Sequence, residues 1–317
     1  TQCITEGTRK TTRRRLRRRA RAELFRSLEE AGTDRGERDI HLGFPDLGTR
    51  QVLACFDGGD ISSDGGALLL RKTEVLTGII QQFSACFTDH RNPELIEHDL
   101  YHLVAQRVYG LALGYEDLND HDDLRRDPLL ATVVGKDDPT GRLRNRKRDR
   151  GKALAGKSTL NRLELTPIGA DKDDRYKKIT CQLHAVDNLL VDLFLQAHSQ
   201  PPKTIVLDVD ATDDPTHGHQ LGRFFHGYYK SYCYLPLYIF CDDHLLLARL
   251  RPSDIDASAG ALKQLVRIIA KIRRAWPQVR IVIRGDSGFC REQIMAWCEK
   301  SGVDYIFGLA RISHPYI

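Results

Sequence analysis

The chain has 317 residues, 41% hydrophobic and 29% charged, with a net charge of +5. At about 150 residues per domain that length fits roughly two domains, and 25 glycines and 12 prolines are too few for a collagenous or low-complexity chain. No apolar run approaches a membrane span and the opening residues are polar and basic, so the chain reads as cytoplasmic, with no membrane partner.

Residues 1–48 form a leader dominated by the guanidinium-rich run 9–21. Adjacent like charges repel unless a polyanion neutralises them, so this leader is expected to be disordered apart from a short helix at 20–30. It reads equally as a phosphate-binding arm and as a solvated tail. Residues 51–56 read as a strand, followed by the turn signals Asp57-Gly58-Gly59-Asp60 and Asp64-Gly65-Gly66. Apolar spacings of three and four predict helices over 67–83 and 93–113, the second with Leu100, Leu103, Val104, Val108 and Leu111 on one buried stripe. An acidic stretch at 115–123 and Pro128 frame a further short helix. The segment 141–156 carries Arg142, Arg144, Arg146, Lys147, Arg148, Arg150 and Lys152 between glycines, an exposed basic loop suited to touching phosphate. A helix over 179–196, with Leu183, Val186, Leu189, Leu190, Leu193 and Phe194 inward, ends at Pro201 and Pro202. Residues 49–200 thus read as a mostly helical N-terminal domain.

Beyond residue 200 the periodicity changes to two. Strands are expected at 204–211, 234–241 and 244–250, then a helix at 260–275, a strand at 280–286, a helix at 291–300 and a strand at 304–309. Hairpin-connected strands followed by strands alternating with helices give an α/β domain over 201–317. Its mixed sheet is covered by helices, in the order of an RNase H-like core.

Alternate strand residues share a face, so Asp208 and Asp210 point the same way, opposite Ile205, Leu207, Val209 and Ala211. Asp286 ends a later strand, where open sheets place ligands. If the first and fourth strands are neighbours, Asp210 and Asp286 converge. Such hard oxygen ligands suit Mg²⁺ or Mn²⁺. The plainer reading makes Asp286 a cap for the helix near Arg291. The eight cysteines, none in C-x-x-C spacing, read as reduced thiols. His217, His219 and His226 lack a complete zinc set. Gly156-Lys157-Ser158 has no strand before it and is not a nucleotide loop.

The segment 208–220 followed by Phe224-Phe225-His226-Gly227-Tyr228-Tyr229 resembles the first catalytic block of DDE transposases of bacterial insertion sequences, in the group headed by insertion sequence 1380. Further matching blocks are Gln106-Arg107-Val108-Tyr109-Gly110, Gly114-Tyr115-Glu116-Asp117, the segments 156–164 and 254–260, and Arg284-Gly285-Asp286-Ser287-Gly288-Phe289. The resemblance implies Asp210, in Asp210-Ala211-Thr212, and Asp286 as catalytic, metal-binding aspartates, with Asp208 as the alternative for the first. It implies two Mg²⁺ or Mn²⁺ ions and phosphoryl transfer on double-stranded DNA, namely the element's terminal repeats and its target. A homodimer on DNA follows, with Arg223, Lys230 and Arg284 as candidate phosphate contacts. A third carboxylate, a Glu on a helix beyond the last core strand, is expected outside this chain, since Glu292 reads as helix surface. The core then reads as incomplete at its C-terminus. Three readings follow: a transposase, a truncated inactive derivative that binds DNA and inhibits transposition, or a folded remnant without activity.

Overall fold

The computed structural model describes residues 42–44, 52–54 and 64–309. The basic run 9–21, the helix expected at 20–30 and residues 310–317 lie outside the described residues. Two compact units divide between Gln182 and Leu183.

In the first unit, β1 (Leu42–Phe44) pairs antiparallel with β2 (Val52–Ala54). β1 falls in a stretch where sequence periodicity signals no element. The helix expected at 67–83 is two helices, α1 (Ala67–Thr77) and α2 (Ile79–Ser84). Gly78 breaks them at φ 63°, in the left-handed region that glycine tolerates. Buried Glu74 then accepts the N–H groups of Ile80 (2.7 Å) and Gln81 (3.0 Å), satisfying the open start of α2.

The strand β3 (Phe87–Asp89) pairs antiparallel with β4 (Ile179–Cys181). The expected helix at 93–113 is a 3₁₀ turn at Pro93–Leu95 and then α3 (Leu100–Ala112). Asn92 caps the turn and Asp99 caps α3, the latter accepting the N–H of His102 at 2.8 Å. Leu111 lies exposed, a correction to the expected stripe. The buried face is Leu103, Val104, Gln106, Tyr109 and Gly110, because a polar joint turns Gln106 inward.

The remaining helices of this unit are α4 (His121–Leu124), α5 (Pro128–Val134) and α6 (Lys157–Glu164). Gln106 Nε2 donates to the Ala155 carbonyl (2.7 Å), its Oε1 accepts the Ala155 N–H (2.9 Å), and His121 Nδ1 lies 3.0 Å from the same Nε2. A Cβ at Gly110 would stand 2.9 Å from His121 Cε1, so the glycine makes room for the imidazole. Arg107 donates to the carbonyls of Tyr115 (2.9 Å) and Glu116 (2.6 Å) and pairs with Glu164. The sequence blocks around 106–110, 114–117 and 156–164 are therefore joints between elements of this unit.

The second unit begins with α7 (Leu183–Ala197), whose Val191 and Phe194 enter its core. Two features differ from the expected helix at 179–196. Its first residues are strand β4, because Ile179 and Thr180 are β-branched and pair with β3. Leu183 is exposed, while Asp187 turns inward to pair with Arg249. The helix lies on the C-terminal side of the division between units, not with residues 49–182.

Then follow β5 (Thr204–Ala211), β6 (Asp214–Pro215), β7 (Phe224–His226), β8 (Ser231–Tyr234), β9 (Leu237–Cys241) and β10 (His244–Arg249). The unit closes with α8 (Ala261–Ala275), β11 (Arg280–Gly285), α9 (Glu292–Ser301) and β12 (Asp304–Phe307). The five-stranded sheet runs β10-β9-β5-β11-β12. β10, β9 and β5 pair antiparallel, whereas β5, β11 and β12 are parallel. Leu207, Ile239, Leu246, Ile283 and the α8 residues Leu265, Ile268 and Ile272 fill one core. β6, β8 and β7 form a separate small sheet. Among the described residues no helix is long and apolar enough to cross a membrane.

Replacing Gln106 with Leu should destabilise the protein by about 1–3 kcal/mol in chemical denaturation, since both Ala155 backbone groups lose their partner. Stability should also fall with acidity. Burial, followed by the charge of Arg107, holds His121 down to about 4, whereas an unfolded histidine protonates near 6.5. The contribution is complete above about pH 6.5 and is lost as pH falls toward 4, at a slope approaching ~1.4 kcal/mol per pH unit. Denaturation curves across that window should show this slope added to that of His98, which is also held low, and His121→Gln should remove the His121 share.

Candidate active site

Burial of Ile205, Leu207 and Val209 on one side of β5 turns Asp208 and Asp210 to the other. The parallel register pairs Asp208 with Arg284 and Val209 with Gly285. The next residues are Asp210, still on β5, and Asp286, the first residue beyond the end of β11. The structure thus brings together the ends of two strands separated by a long stretch of chain.

The three aspartates differ in what they touch. Asp208 is bound on both oxygens by Arg284, with Nε to Oδ1 at 2.5 Å and a terminal nitrogen to Oδ2 at 2.8 Å. Asp210 is exposed, opposite Tyr238 on β9. Asp286 is also exposed; its Oδ1 accepts the Gly288 N–H at 2.8 Å and caps the turn Ser287–Phe289. The capping role foreseen for Asp286 falls on this turn, since the residue that precedes α9 is Arg291. Glu292 is exposed in the first turn of α9.

Small residues crowd Asp286. A Cβ at Gly308 would stand 3.1 Å from the Ser287 nitrogen, and one at Gly288 would stand 3.0 Å from Asp286 Oδ1 and 3.2 Å from Ala257 Cβ. The loop bearing Ala257 is held from within by Arg251. This buried guanidinium donates to the carbonyls of Leu235 (2.9 Å), Ala259 (2.7 Å) and Ala257 (3.1 Å), and burial lowers its pKa. Asp256 in the same loop binds Arg291 at 2.7 Å, and that bond together with Ser258 keeps its carboxyl at about 2. Sequence reasoning took 254–260 only as a matching block. The signal it passed over was Arg251 itself, a charge beside an apolar strand that demands buried acceptors.

Between β5 and β9 the chain leaves the main sheet, and Tyr229 returns to it, its hydroxyl donating to the Ala211 carbonyl at 3.4 Å. Burial raises the ionisation of this phenol most, followed by the charges of Asp213, Asp210, Tyr228 and Asp286. Asp213 is an acid near this phenol that the sequence reading did not single out. Of the cations considered for phosphate contact, Arg284 is engaged by Asp208, and Arg223 lies 4.6 Å over the Tyr232 ring. Lys230 occupies a left-handed turn at φ 53°. Phe225, Tyr228 and Tyr232 are exposed around this excursion.

Among the described residues no group of three His, Cys, Asp or Glu side chains is close enough to hold a metal ion. The pair Asp210 and Asp286 nevertheless suits a hard divalent ion in its donor chemistry, because magnesium commonly takes one or two carboxylates and completes its shell with water and substrate phosphate. Asp208 fits less well, both of its oxygens being occupied by Arg284.

A family model described as Transposase DDE domain group 1 matches residues 44–314. No curated protein matches the chain. A solved piggyBac transposase synaptic complex with hairpin DNA is similar at 13% identity, covering 79% of this chain and 52% of that chain, with a TM-score of 0.34. This chain thus spans about half the length of that one, and the likeness is too low to assign a fold.

Neutralising Asp210 or Asp286 to asparagine should bring the ionisation of Tyr229 down toward the usual tyrosine value, and a bound divalent cation should do the same. An ultraviolet absorbance titration with Tyr229→Phe as the blank measures it. An unchanged Tyr229 titration in both variants would place the carboxylates apart.

Proposed function

The chain belongs to the DDE transposase family, group 1, and from that premise we propose that it is a bacterial insertion-sequence transposase that cleaves DNA strands and transfers them to a target. The observation that carries this reading is the parallel register of two core strands, whose last pair, Gly285 with Val209, is followed on each chain segment by an aspartate, Asp286 and Asp210. The strand order supports an RNase H-like core, with the first, fourth and fifth strands parallel and the second and third antiparallel. The motif blocks support the group headed by insertion sequence 1380.

In this reading Asp210 and Asp286 hold Mg²⁺ or Mn²⁺, which would activate the attacking oxygen and stabilise the leaving one. Asp210 supplies an exposed carboxylate from a rigid strand end. Asp286 presents its Oδ2, while Oδ1 stays on the Gly288 N–H and fixes the side chain's direction. Arg284 neutralises Asp208, which lowers the repulsion among the carboxylates on this rim. The partners in this reading are double-stranded DNA, as terminal repeats and target, and a second copy of the chain. The setting is the bacterial cytoplasm.

The alternative, a derivative that binds DNA without cutting it, is favoured by one observation: no third carboxylate completes a metal set among the described residues. Mn²⁺-dependent nicking of supercoiled plasmid separates the two. The transposase reading expects nicking that falls to background in Asp210→Ala and in Asp286→Ala, and that survives in Asp208→Asn. Metal-independent nicking, or nicking indifferent to both alanine variants, would sink it. Bound DNA without any nicking supports the derivative.

A further inference from the structure

The first unit contains a cavity of about 610 Å³ between the segments 91–98, 122–125, 144–159 and 162–178. Nine arginines and lysines line it against three carboxylates. Those carboxylates are spoken for: Glu97 binds Arg144 at 2.9 Å, Asp122 lies 3.6 Å from Arg125, and Asp149 lies 3.7 Å from Arg148. Arg91 is paired on Asp89 at 2.6 Å. Five cations remain without a carboxylate partner among the described residues: Arg146, Lys152, Arg162, Arg175 and Lys178.

Their arrangement is held in place. Arg162 and Arg175 both lie over the Tyr176 ring, at 5.3 Å and 4.8 Å from its centre, so two like charges share one aromatic surface with no anion between them. Lys152 Nζ donates to the Arg148 carbonyl at 2.7 Å. The loop bearing Arg146 is clamped by the Gly151 N–H on the Gly141 carbonyl at 2.9 Å, and a Cβ at Gly141 would collide with the Lys152 and Ala153 nitrogens at 2.7 Å. His98 in the wall is buried, with Nε2 3.1 Å from an Arg144 nitrogen and Nδ1 without a hydrogen-bond partner. Burial first, and then the charges of Lys136 and Arg144, push it down to about 3.

We propose that this cavity grips the sugar-phosphate backbone of duplex DNA, as a site of attachment apart from the aspartate pair. The proposal rests on the transposase reading for the identity of the polyanion. A single small anion would satisfy one or two of these cations. Duplex DNA, with one charge per roughly 1.7 Å of axis, presents several phosphates at once to a cation-rich surface. Contacts of this kind set register and orientation and carry no sequence information.

The test is fluorescence anisotropy of a labelled duplex over a salt series, using the whole chain. Arg146 and Arg175 are exposed and have no carboxylate to leave unpaired, so Arg146→Ala with Arg175→Ala should fold normally. The expected result is at least about tenfold weaker binding, with the slope of log affinity on log salt shallower by about 1.8, or 0.9 per lost phosphate contact. Arg146→Lys with Arg175→Lys should restore the slope. Lys300→Ala, exposed on α9, should leave it unchanged. An unchanged slope in the double alanine variant overturns the proposal, as does complete displacement of the duplex by millimolar inorganic phosphate, which would assign the cavity to a small anion. If the slope is unchanged while nicking still depends on Asp210 and Asp286, only this inference fails. If the slope falls while nicking does not depend on them, the cavity stands and the enzymatic reading fails.

Discussion

The parallel pairing of β5 with β11 is the constraint on which the candidate site depends. Its register is fixed by burial: Ile205, Leu207 and Val209 on one strand and Ile281 and Ile283 on the other all face the core. A slip of one residue would carry Asp208 and Asp210 into that core and their apolar neighbours out of it. Burying two unpaired carboxylates costs far more than any loop rearrangement could recover. The hydrophobic effect therefore places the β5 carboxylates on the face away from the core.

Concentrating negative charge on the rim of a sheet calls for compensation, and the chain provides it unevenly. Arg284 takes both oxygens of Asp208. Asp286 gives one oxygen to a backbone N–H, and Asp210 is left open. The support is local and steric as much as electrostatic. Glycines at 285, 288 and 308 let Phe289, Ala257 and the Asp286 backbone close up to within ordinary or tight contact distances. Arg251 ties the 254–260 loop to them through three carbonyls. A buried guanidinium that donates to three backbone oxygens is a strong joint, because each bond is charge-assisted.

The first unit follows another logic. Gln106 and Arg107, adjacent on α3, reach in opposite directions, one inward to Ala155 and His121, the other outward to Tyr115, Glu116 and Glu164. These joints hold the basic loop by its far end, so its arginines project from an ordered frame. Repulsion among the cations lining the cavity is tolerated because carboxylates neutralise some of them and the Tyr176 ring carries two more, Arg162 and Arg175. What is left over is a cavity with more positive charge than its own residues can balance.

Much of this was legible in the sequence because the relevant signals are local. Alternation along 204–211 places two aspartates on one face whatever the rest of the chain does, and the strands and helices after residue 200 follow from changes of period. The breaks inside helices were harder to read. Gly78, Asn92 and Asp99 end or begin elements through φ angles and side-chain caps, which compete on even terms with an unbroken apolar stripe. The inward turn of Gln106 in place of Leu111, and of Asp187 in place of Leu183, depends on partners 49 and 62 residues away, which no local pattern records. The sequence by itself determined which residues could carry charge on a strand face and where cations accumulate. Only the tertiary structure decided that Asp208 is bound to Arg284, that Asp210 is left exposed on β5 while Asp286 caps the turn after β11, and that the cations of the first unit surround one cavity, because strand register and long-range pairing set those contacts.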